Sequence, residues 1–204
     1  MQTRARTVVL FAFDEVELLD VAAPLQVLTL AGRRWNFRPF KVHVCAPAAG
    51  LVETRNQIRL ASSVALADAP PAEILFVAGG YGARRLLADT GVAKELARIG
   101  RDAEVVSAVG WGVALLAKAN LLAAERVAVA PEVSESVHEH APAAVLEPTL
   151  PVVADGRVFS ARASGASLDL GLAIVGRVLG PKLVTLVRSE LGLSSERIDV
   201  SYSS

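Results

Sequence analysis

The stretch VVSAVGWGVALL, residues 105–116, predicts a buried strand, an abrupt turn and a helix. The strand portion, VVSAV, is almost continuously apolar, which is typical of a parallel sheet covered by helices on both faces. Runs of similar length and character occur at TVVLFAF (7–13), FKVHVCA (40–46) and EILFVA (73–78). Helical patterns separate these runs, at about residues 16–33, 83–99 and 111–119.

This alternation of strand and helix predicts an α/β fold, with a doubly wound, mostly parallel sheet sandwiched by helices. In such folds ligands bind beyond the carboxyl ends of the strands. We therefore expect the functional site just after Phe13, Ala78 and Val109.

The C-terminal part adds a hairpin and two helices. LPVVADGRVFSARA (150–163) predicts a small β-hairpin that turns at Asp155-Gly156, because this dipeptide readily adopts positive φ angles. SGASLDLGLAIVGRVLG (164–180) predicts a helix with a serine at its N-cap, and a second helix follows at 181–191. No repeat or linker interrupts the pattern, so we interpret residues 1–204 as a single domain.

Composition and charge exclude several kinds of partner. The 204 residues carry 21 Lys+Arg and 21 Asp+Glu without a basic block, which argues against direct nucleic-acid binding. The N-terminal apolar run is too short for a signal sequence or a membrane span, so we expect a cytoplasmic protein with no membrane partner. Cys45, the single cysteine, ends a predicted strand, which favours a buried structural thiol over a nucleophile.

The histidines do not have the spacing of a metal site. His138 and His140, in SVHEHAP (136–142), point to different faces if the segment is helical, and no other ligand accompanies them. His43 alternates within a predicted strand. We predict no metal and no cofactor.

The first segment with possible chemistry is FVAGGYGARR (76–85), a strand, a glycine turn and a helix. Backbone amides at such a helix start suit an anion or a developing oxyanion. A dinucleotide-binding fingerprint would need a third glycine where Arg85 stands. The alternative is a tight turn that simply needs positive φ.

The second is the strand-to-helix corner itself, Val109-Gly110-Trp111-Gly112. Its form is that of an elbow whose strained apex projects a nucleophilic side chain into a site. Here Gly110 is the apex, which removes both the strain and the reactive group. We interpret Trp111 as a pocket-filling or interface aromatic, since indole offers one N–H donor and no useful acid or base.

The third is FDEVELLDVAAPLQVL (13–28), in which an acidic run precedes an amphipathic helix. Asp14, Glu15 and Glu17 are expected to complement the helix dipole. Asp20 lies among apolar residues, so burial should raise its pKa and make it a candidate proton carrier.

Together, four segments resemble the ThiJ/PfpI superfamily, within the flavodoxin-like, class I glutamine amidotransferase-like fold. They are FDEVELLDVAAPLQVL, LFVAGGYGARR, VVSAVGWGVALLAKANLLAAERVAV and GRVFSARASGASLDLGLAIVGRVLG. The similarity runs from about residue 7 to Tyr202. It is greatest to the branch that holds isocyanide hydratases and the sensor domains of AraC-type regulators.

The resemblance implies roles for individual positions. The family's glycine turn matches Ala78-Gly79-Gly80, with the amide of Gly80 as an oxyanion donor. Its acidic residue, in a Leu-Asp-x-x-Gly-Pro motif, matches Asp20, although Ala23 replaces the glycine.

The same comparison implies that the reactive groups are missing. The family's elbow, commonly Val-Cys-Thr-Gly in this branch, falls on Val109–Gly112 and puts Gly110 where the cysteine belongs. A frequent histidine would fall near Ala130. Without a thiolate no covalent intermediate forms, so a pseudoenzyme is expected.

Two classes of function remain. The first is a non-catalytic binding or regulatory protein whose ligand contacts Asp20, Gly80, Gly110 and Trp111. The second is a hydratase- or hydrolase-type enzyme, isocyanide hydratase-like, that uses Asp20 and a water molecule. In this branch a helix-turn-helix follows the sensor domain, so we expect residues 1–204 to correspond to an AraC-type sensor alone, and the superfamily implies a homodimer.

Overall fold

The computed structural model describes residues 5–34, 40–193 and 200–202. Its central sheet has eight strands. In spatial order these are β12 (Val200–Tyr202), β10 (Val152–Asp155), β11 (Val158–Ala161), β7 (Val105–Val109), β6 (Ile74–Val77), β1 (Arg6–Phe11), β2 (Phe40–Ala46) and β5 (Val64–Ala65). Within this sheet only the pairing of β10 with β11 is antiparallel. The predicted α/β fold with a mostly parallel sheet is therefore confirmed.

Seven helices are found in the described residues: α1 (Leu18–Arg34), α2 (Tyr81–Leu86), α3 (Thr90–Gly100), α4 (Trp111–Lys118), α5 (Pro131–His140), α6 (Ser167–Leu179) and α7 (Pro181–Glu190). α1, α6 and α7 pack against one another, whereas α4 packs against α2, α3 and α5. Within the described ranges, each helix is too short or too polar to cross a membrane.

The helical pattern at 83–99, predicted as one helix, is two helices in the structure. The break falls before α3, where the Asp89 side chain accepts hydrogen bonds from the amides of Gly91 and Val92 at 2.8 and 3.1 Å. Asp89 is thus a side-chain N-cap, which starts a new helix inside the apolar pattern.

The hairpin predicted at 150–163 is present, but it belongs to the central sheet. β10 and β11 turn at Gly156, whose φ is 56°, and β11 then pairs in parallel with β7. The serine N-cap predicted for α6 is wrong: Ala166 occupies the N-cap and makes no side-chain cap bond. Ser167 is the first residue of α6, and its hydroxyl bonds elsewhere.

Two small sheets lie outside the sequence-based expectations. β3 (Gly50–Glu53) and β4 (Arg59–Ser62) form an antiparallel hairpin, and β8 (Arg126–Ala128) pairs in parallel with β9 (Val145–Glu147). The tip of the first hairpin contacts the segment before α1 through a hydrogen bond of 3.0 Å from the Arg55 amide to the Val16 carbonyl.

The core lies on both faces of the central sheet. All five residues of β7 and all four of β6 are buried. Cys45, in β2, has no exposed surface, and burial raises the pKa of its thiol to about 11. The structure therefore places the single cysteine in the core.

Candidate functional site

A cavity of about 170 Å³ opens at the carboxyl ends of β6 and β7. Its wall contains the four residues that the sequence predicts as ligand contacts: Asp20, Gly80, Gly110 and Trp111. The expected position after Ala78 and Val109 is thus occupied by a cavity. The segment after Phe13 reaches the same cavity through Glu17.

The corner between β7 and α4 has the sharp geometry of an elbow. Gly110 is its apex, with φ of 50° and ψ of −121°, outside the regions that residues with side chains ordinarily adopt. Its amide donates to the Ala161 carbonyl at 2.9 Å, and its carbonyl accepts from Val113 at 3.0 Å. The apex is therefore fixed on both sides.

The glycine turn after β6 is required by close packing. A Cβ atom on Gly79 would lie 2.5 Å from Oδ2 of Asp20, and one on Gly80 would lie 2.5 Å from the Glu15 carbonyl oxygen. Gly80 also has φ of 127°. Neither position accepts a side chain without movement of the backbone.

The two glycines of the elbow differ in this respect. A Cβ atom on Gly112 would lie 2.7 Å from the Ala78 carbonyl oxygen, so close packing of α4 on β6 requires glycine there. At Gly110 the nearest neighbour would be the Arg162 carbonyl oxygen, at 3.8 Å, which is an ordinary contact. The apex has room for a side chain, although its φ disfavours one.

Asp20 has no exposed surface, and both of its carboxyl oxygens accept hydrogen bonds. Oδ2 accepts the Gly79 amide at 2.9 Å, and Oδ1 accepts the Ser167 hydroxyl at 2.6 Å. Burial raises the pKa of Asp20, and the hydrogen bonds from Ser167, Ser164 and Gly79 offset part of that rise. The charge of Glu17 raises the pKa slightly further.

Trp111 is half-buried and stands at the cavity mouth beside Tyr81. The guanidinium carbon of Arg84 lies 5.6 Å from the Trp111 ring centroid and 5.9 Å from that of Tyr81. Both distances are within the range of a cation–π contact. Tyr81 directly follows the glycine turn in the sequence, and this position could have identified it as a residue of the cavity wall.

The acidic run before α1 has specific partners in addition to its position before the helix. Glu15 pairs with Arg85 at 2.7 Å, and Glu17 pairs with Arg55 at 3.2 Å. Asp14 accepts the amide of Glu53. Because α1 begins at Leu18, these side chains connect the segment to α2 and to the β3–β4 hairpin.

Several polar residues of the wall were missed in the sequence. Arg55 comes from the β3–β4 hairpin, Glu132 from α5, and Arg162 and Ser164 from the connection between β11 and α6. No local pattern distinguishes these residues, because the sheet topology alone brings their segments to one cavity.

The model of the DJ-1/PfpI family matches residues 6–177. The chain belongs to the DJ-1/PfpI family. No curated protein sequence matches it significantly.

Solved structures of this superfamily have the same fold at low sequence identity. A ThiJ/PfpI family protein from Pseudomonas syringae aligns with a TM-score of 0.82 and 15% identity, over 96% of this chain and 78% of that one. Drosophila melanogaster DJ-1beta aligns with a TM-score of 0.81 and 17% identity, over 94% of this chain and 100% of that one. An AraC family transcriptional regulator from Pseudomonas putida aligns with a TM-score of 0.81 and 19% identity, over 91% of this chain and 99% of that one.

In this DJ-1/PfpI chain, neither cysteine nor histidine is among the described residues that line the elbow cavity. Ala130, near which the family's histidine was expected, is in the wall at the start of α5. The described side chains include no group of three His, Cys, Asp or Glu arranged to hold a metal ion.

A second cavity, of about 330 Å³, lies beside the first between the end of β2 and α2. Most of its lining side chains are apolar. Its two charged side chains, Asp14 and Arg85, are engaged with Glu53 and Glu15. It contains none of the predicted site residues, so the elbow cavity remains the candidate site.

Proposed function

We propose that this DJ-1/PfpI protein binds a small polar ligand in the elbow cavity without transforming it, and acts as a regulatory or sensor unit. The observation that carries the proposal is Gly110, a bare backbone apex in an elbow that has room for a side chain. In this proposal Gly110 stands where the family's nucleophilic cysteine belongs. Without a thiolate, the attack that begins the family's thiol chemistry has no attacking atom.

The cavity limits the size of the ligand. Its volume of about 170 Å³ is below the range of roughly 300–1,000 Å³ that is usual for drug-sized ligands. A molecule with only a few non-hydrogen atoms fits. Acidic and basic side chains both line the wall, including Glu132 and Arg162, so the ligand should carry polar groups.

The sensor role is supported by the similarity to an AraC family regulator, whose resolved chain is covered to 99%. Identity of 19% shows the common fold alone, so the regulatory role is part of the proposal. We also propose a homodimer, as the superfamily resemblance implies. Light scattering after gel filtration tests this, and a monomeric mass at micromolar concentration would contradict it.

A second candidate function is an isocyanide hydratase-like enzyme in which Asp20 transfers protons to and from a water molecule. It is favoured by the buried carboxyl group, of raised pKa, in the cavity wall. Each oxygen of Asp20 already accepts a hydrogen bond from a protein group, and a carboxylate has about four lone-pair sites, so a proton can be accepted without loss of either bond. Hydration of an isocyanide that is lost in Asp20→Asn would favour this candidate.

The binding proposal is tested by a thermal-shift screen of small carboxylic acids, amides, aldehydes and isocyanides. A ligand of the folded state raises the melting temperature by mass action. We expect hits to stabilise the wild type but not Ala130→Met, because a longer side chain at this position of the wall should take up part of the cavity. Ala88→Met, at an exposed site, is the matched control and should respond like the wild type.

Two results would reject the binding proposal. One is a panel in which calorimetry detects no binding by any compound. The other is a hit whose effect is the same in Ala130→Met and in the wild type, because its site would then lie elsewhere.

A further inference from the structure

Ser167 has a fully buried hydroxyl group whose role the helix does not explain. It is the first residue of α6, yet the cap position belongs to Ala166. Its Oγ donates to Oδ1 of Asp20 at 2.6 Å, across 147 positions of the chain. Both side chains have no exposed surface, so this bond is protected from water.

The same carboxyl group holds the glycine turn. Oδ2 of Asp20 accepts the Gly79 amide at 2.9 Å. It also fills the space next to Gly79, since a Cβ atom there would lie 2.5 Å from Oδ2. One carboxyl group therefore joins α1, α6 and the turn after β6, and that turn continues into Gly80 in the cavity wall.

A carboxyl group rotates about its Cβ–Cγ bond unless both oxygens are held. We propose that Ser167 is a positioning residue of the elbow cavity: its hydroxyl holds the Asp20 carboxyl group in the orientation that binds the Gly79 amide, and so sets the Gly79–Gly80 turn. The positioning role of Ser167 stands without a ligand. Only the statement that a ligand uses this turn rests on the proposed function.

The arrangement has a measurable electrostatic consequence. A donor to a carboxylate stabilises the ionised form, so the Ser167 hydroxyl lowers the pKa of Asp20 against the opposing effect of burial. Loss of this hydroxyl should therefore raise the pKa of Asp20 further.

Other groups face the same cavity and must be considered in the titration. They are Glu17 from the segment before α1, Arg55 from the β3–β4 hairpin, Glu132 from α5 and Arg162 from the connection after β11. Glu17 and Arg55 are paired with each other. All of these groups remain in the Ser167 variants, so their contributions are common to every titration.

The test is a pH titration of the Gly79 amide by NMR in the ligand-free protein. Labelling with ¹³C-carbonyl alanine and ¹⁵N-glycine selects the three Ala-Gly pairs of the chain, which end in Gly32, Gly50 and Gly79. The signal that stops titrating in Asp20→Asn is assigned to Gly79. In the wild type we expect its midpoint above 3.8, the ordinary aspartate value.

Ser167→Ala should move the Gly79 signal and raise the midpoint above that of the wild type. Ser107→Ala also removes a fully buried hydroxyl, one that bonds the Leu75 carbonyl, and should leave the midpoint unchanged. Should Ser167→Ala not fold, Ser167→Cys replaces the hydroxyl group by a slightly larger and weaker donor and should also raise the midpoint.

A wild-type signal and midpoint in either folded Ser167 variant would overturn the proposal. So would an equal rise in Ser107→Ala, because the effect would then be general. No ligand takes part in this titration. A negative result in this titration therefore leaves the binding proposal intact. A ligand screen without hits likewise leaves the positioning role of Ser167 intact.

Discussion

Asp20 and Gly79 lie 59 positions apart in the chain and are joined by a buried hydrogen bond of 2.9 Å. The accepting oxygen occupies the space that a side chain at position 79 would need. The absence of a side chain at Gly79 and the burial of a carboxyl group at Asp20 are thus two parts of one packing arrangement.

Gly79→Ala should destabilise the protein. The added Cβ would lie 2.5 Å from Oδ2 of Asp20 and 2.7 Å from the Val109 carbonyl oxygen, so α1 or the elbow must move. We expect a loss of about 1–3 kcal/mol in the free energy of unfolding, as for other overpacked sites. Gly165→Ala, where the new Cβ has no neighbour within 4 Å, should stay within about 0.5 kcal/mol of the wild type. Urea denaturation measures both, and equal losses would contradict this account.

Gly110→Cys should place an exposed thiol at the elbow apex. The Cβ has space, and the cost is the backbone strain of φ 50°, about 1–3 kcal/mol. The amino end of α4 favours the thiolate, so the new pKa should fall below the free-cysteine value of about 8.5. Absorbance of the thiolate against pH measures it.

Two controls accompany this variant. Gly110→Ala measures the strain without the sulfur atom. The wild type gives the background, because Cys45 is fully buried and its pKa is raised to about 11. A titration of the new thiol near 8.5 would argue against the elbow assignment.

Asp20 should make stability fall as pH rises above the ordinary aspartate pKa of 3.8. Its pKa is raised in the folded state, mainly by burial, so the folded protein binds a proton more tightly than the unfolded chain does. Between the ordinary value of 3.8 and the raised value, each increase in pH therefore lowers the free energy of unfolding. Above the raised value the effect is constant.

The comparison that isolates this effect is wild type against Asp20→Asn, by urea denaturation at a series of pH values. We expect the wild type to lose stability relative to Asp20→Asn as pH rises through that window. Asp169, whose pKa is also raised by burial, is present in both proteins and cancels. A stability difference between the two proteins that does not change with pH would refute a raised pKa of Asp20 in the folded protein.

Asp89→Ala should cost about 1 kcal/mol, because two amides at the start of α3 lose their acceptor. Asp89→Asn keeps a side-chain oxygen at the cap and should recover most of the loss. Asp102→Ala, at an exposed site after α3, should have little effect. Equal stability of Asp89→Ala and Asp102→Ala would show that the cap does not separate α2 from α3.

The amino-acid sequence by itself was enough to predict the features that depend on near neighbours. Four core strands, the glycine turn and the elbow at Gly110 follow from apolar runs and from glycines at the strand ends. The burial of Asp20 could also be predicted, since apolar residues surround it in the chain. These signals are local because backbone conformation and side-chain periodicity extend over only a few residues.

Only the tertiary structure decided which distant groups meet at the site. Ser167 reaches Asp20 from 147 positions away, and Arg55 enters the cavity wall on a hairpin that was not predicted. The β10–β11 hairpin joins the central sheet because β11 pairs with β7. No residue close to the hairpin in the sequence specifies this pairing. Such contacts depend on strand pairing and packing between remote segments, and short strands carry little intrinsic preference for a particular partner.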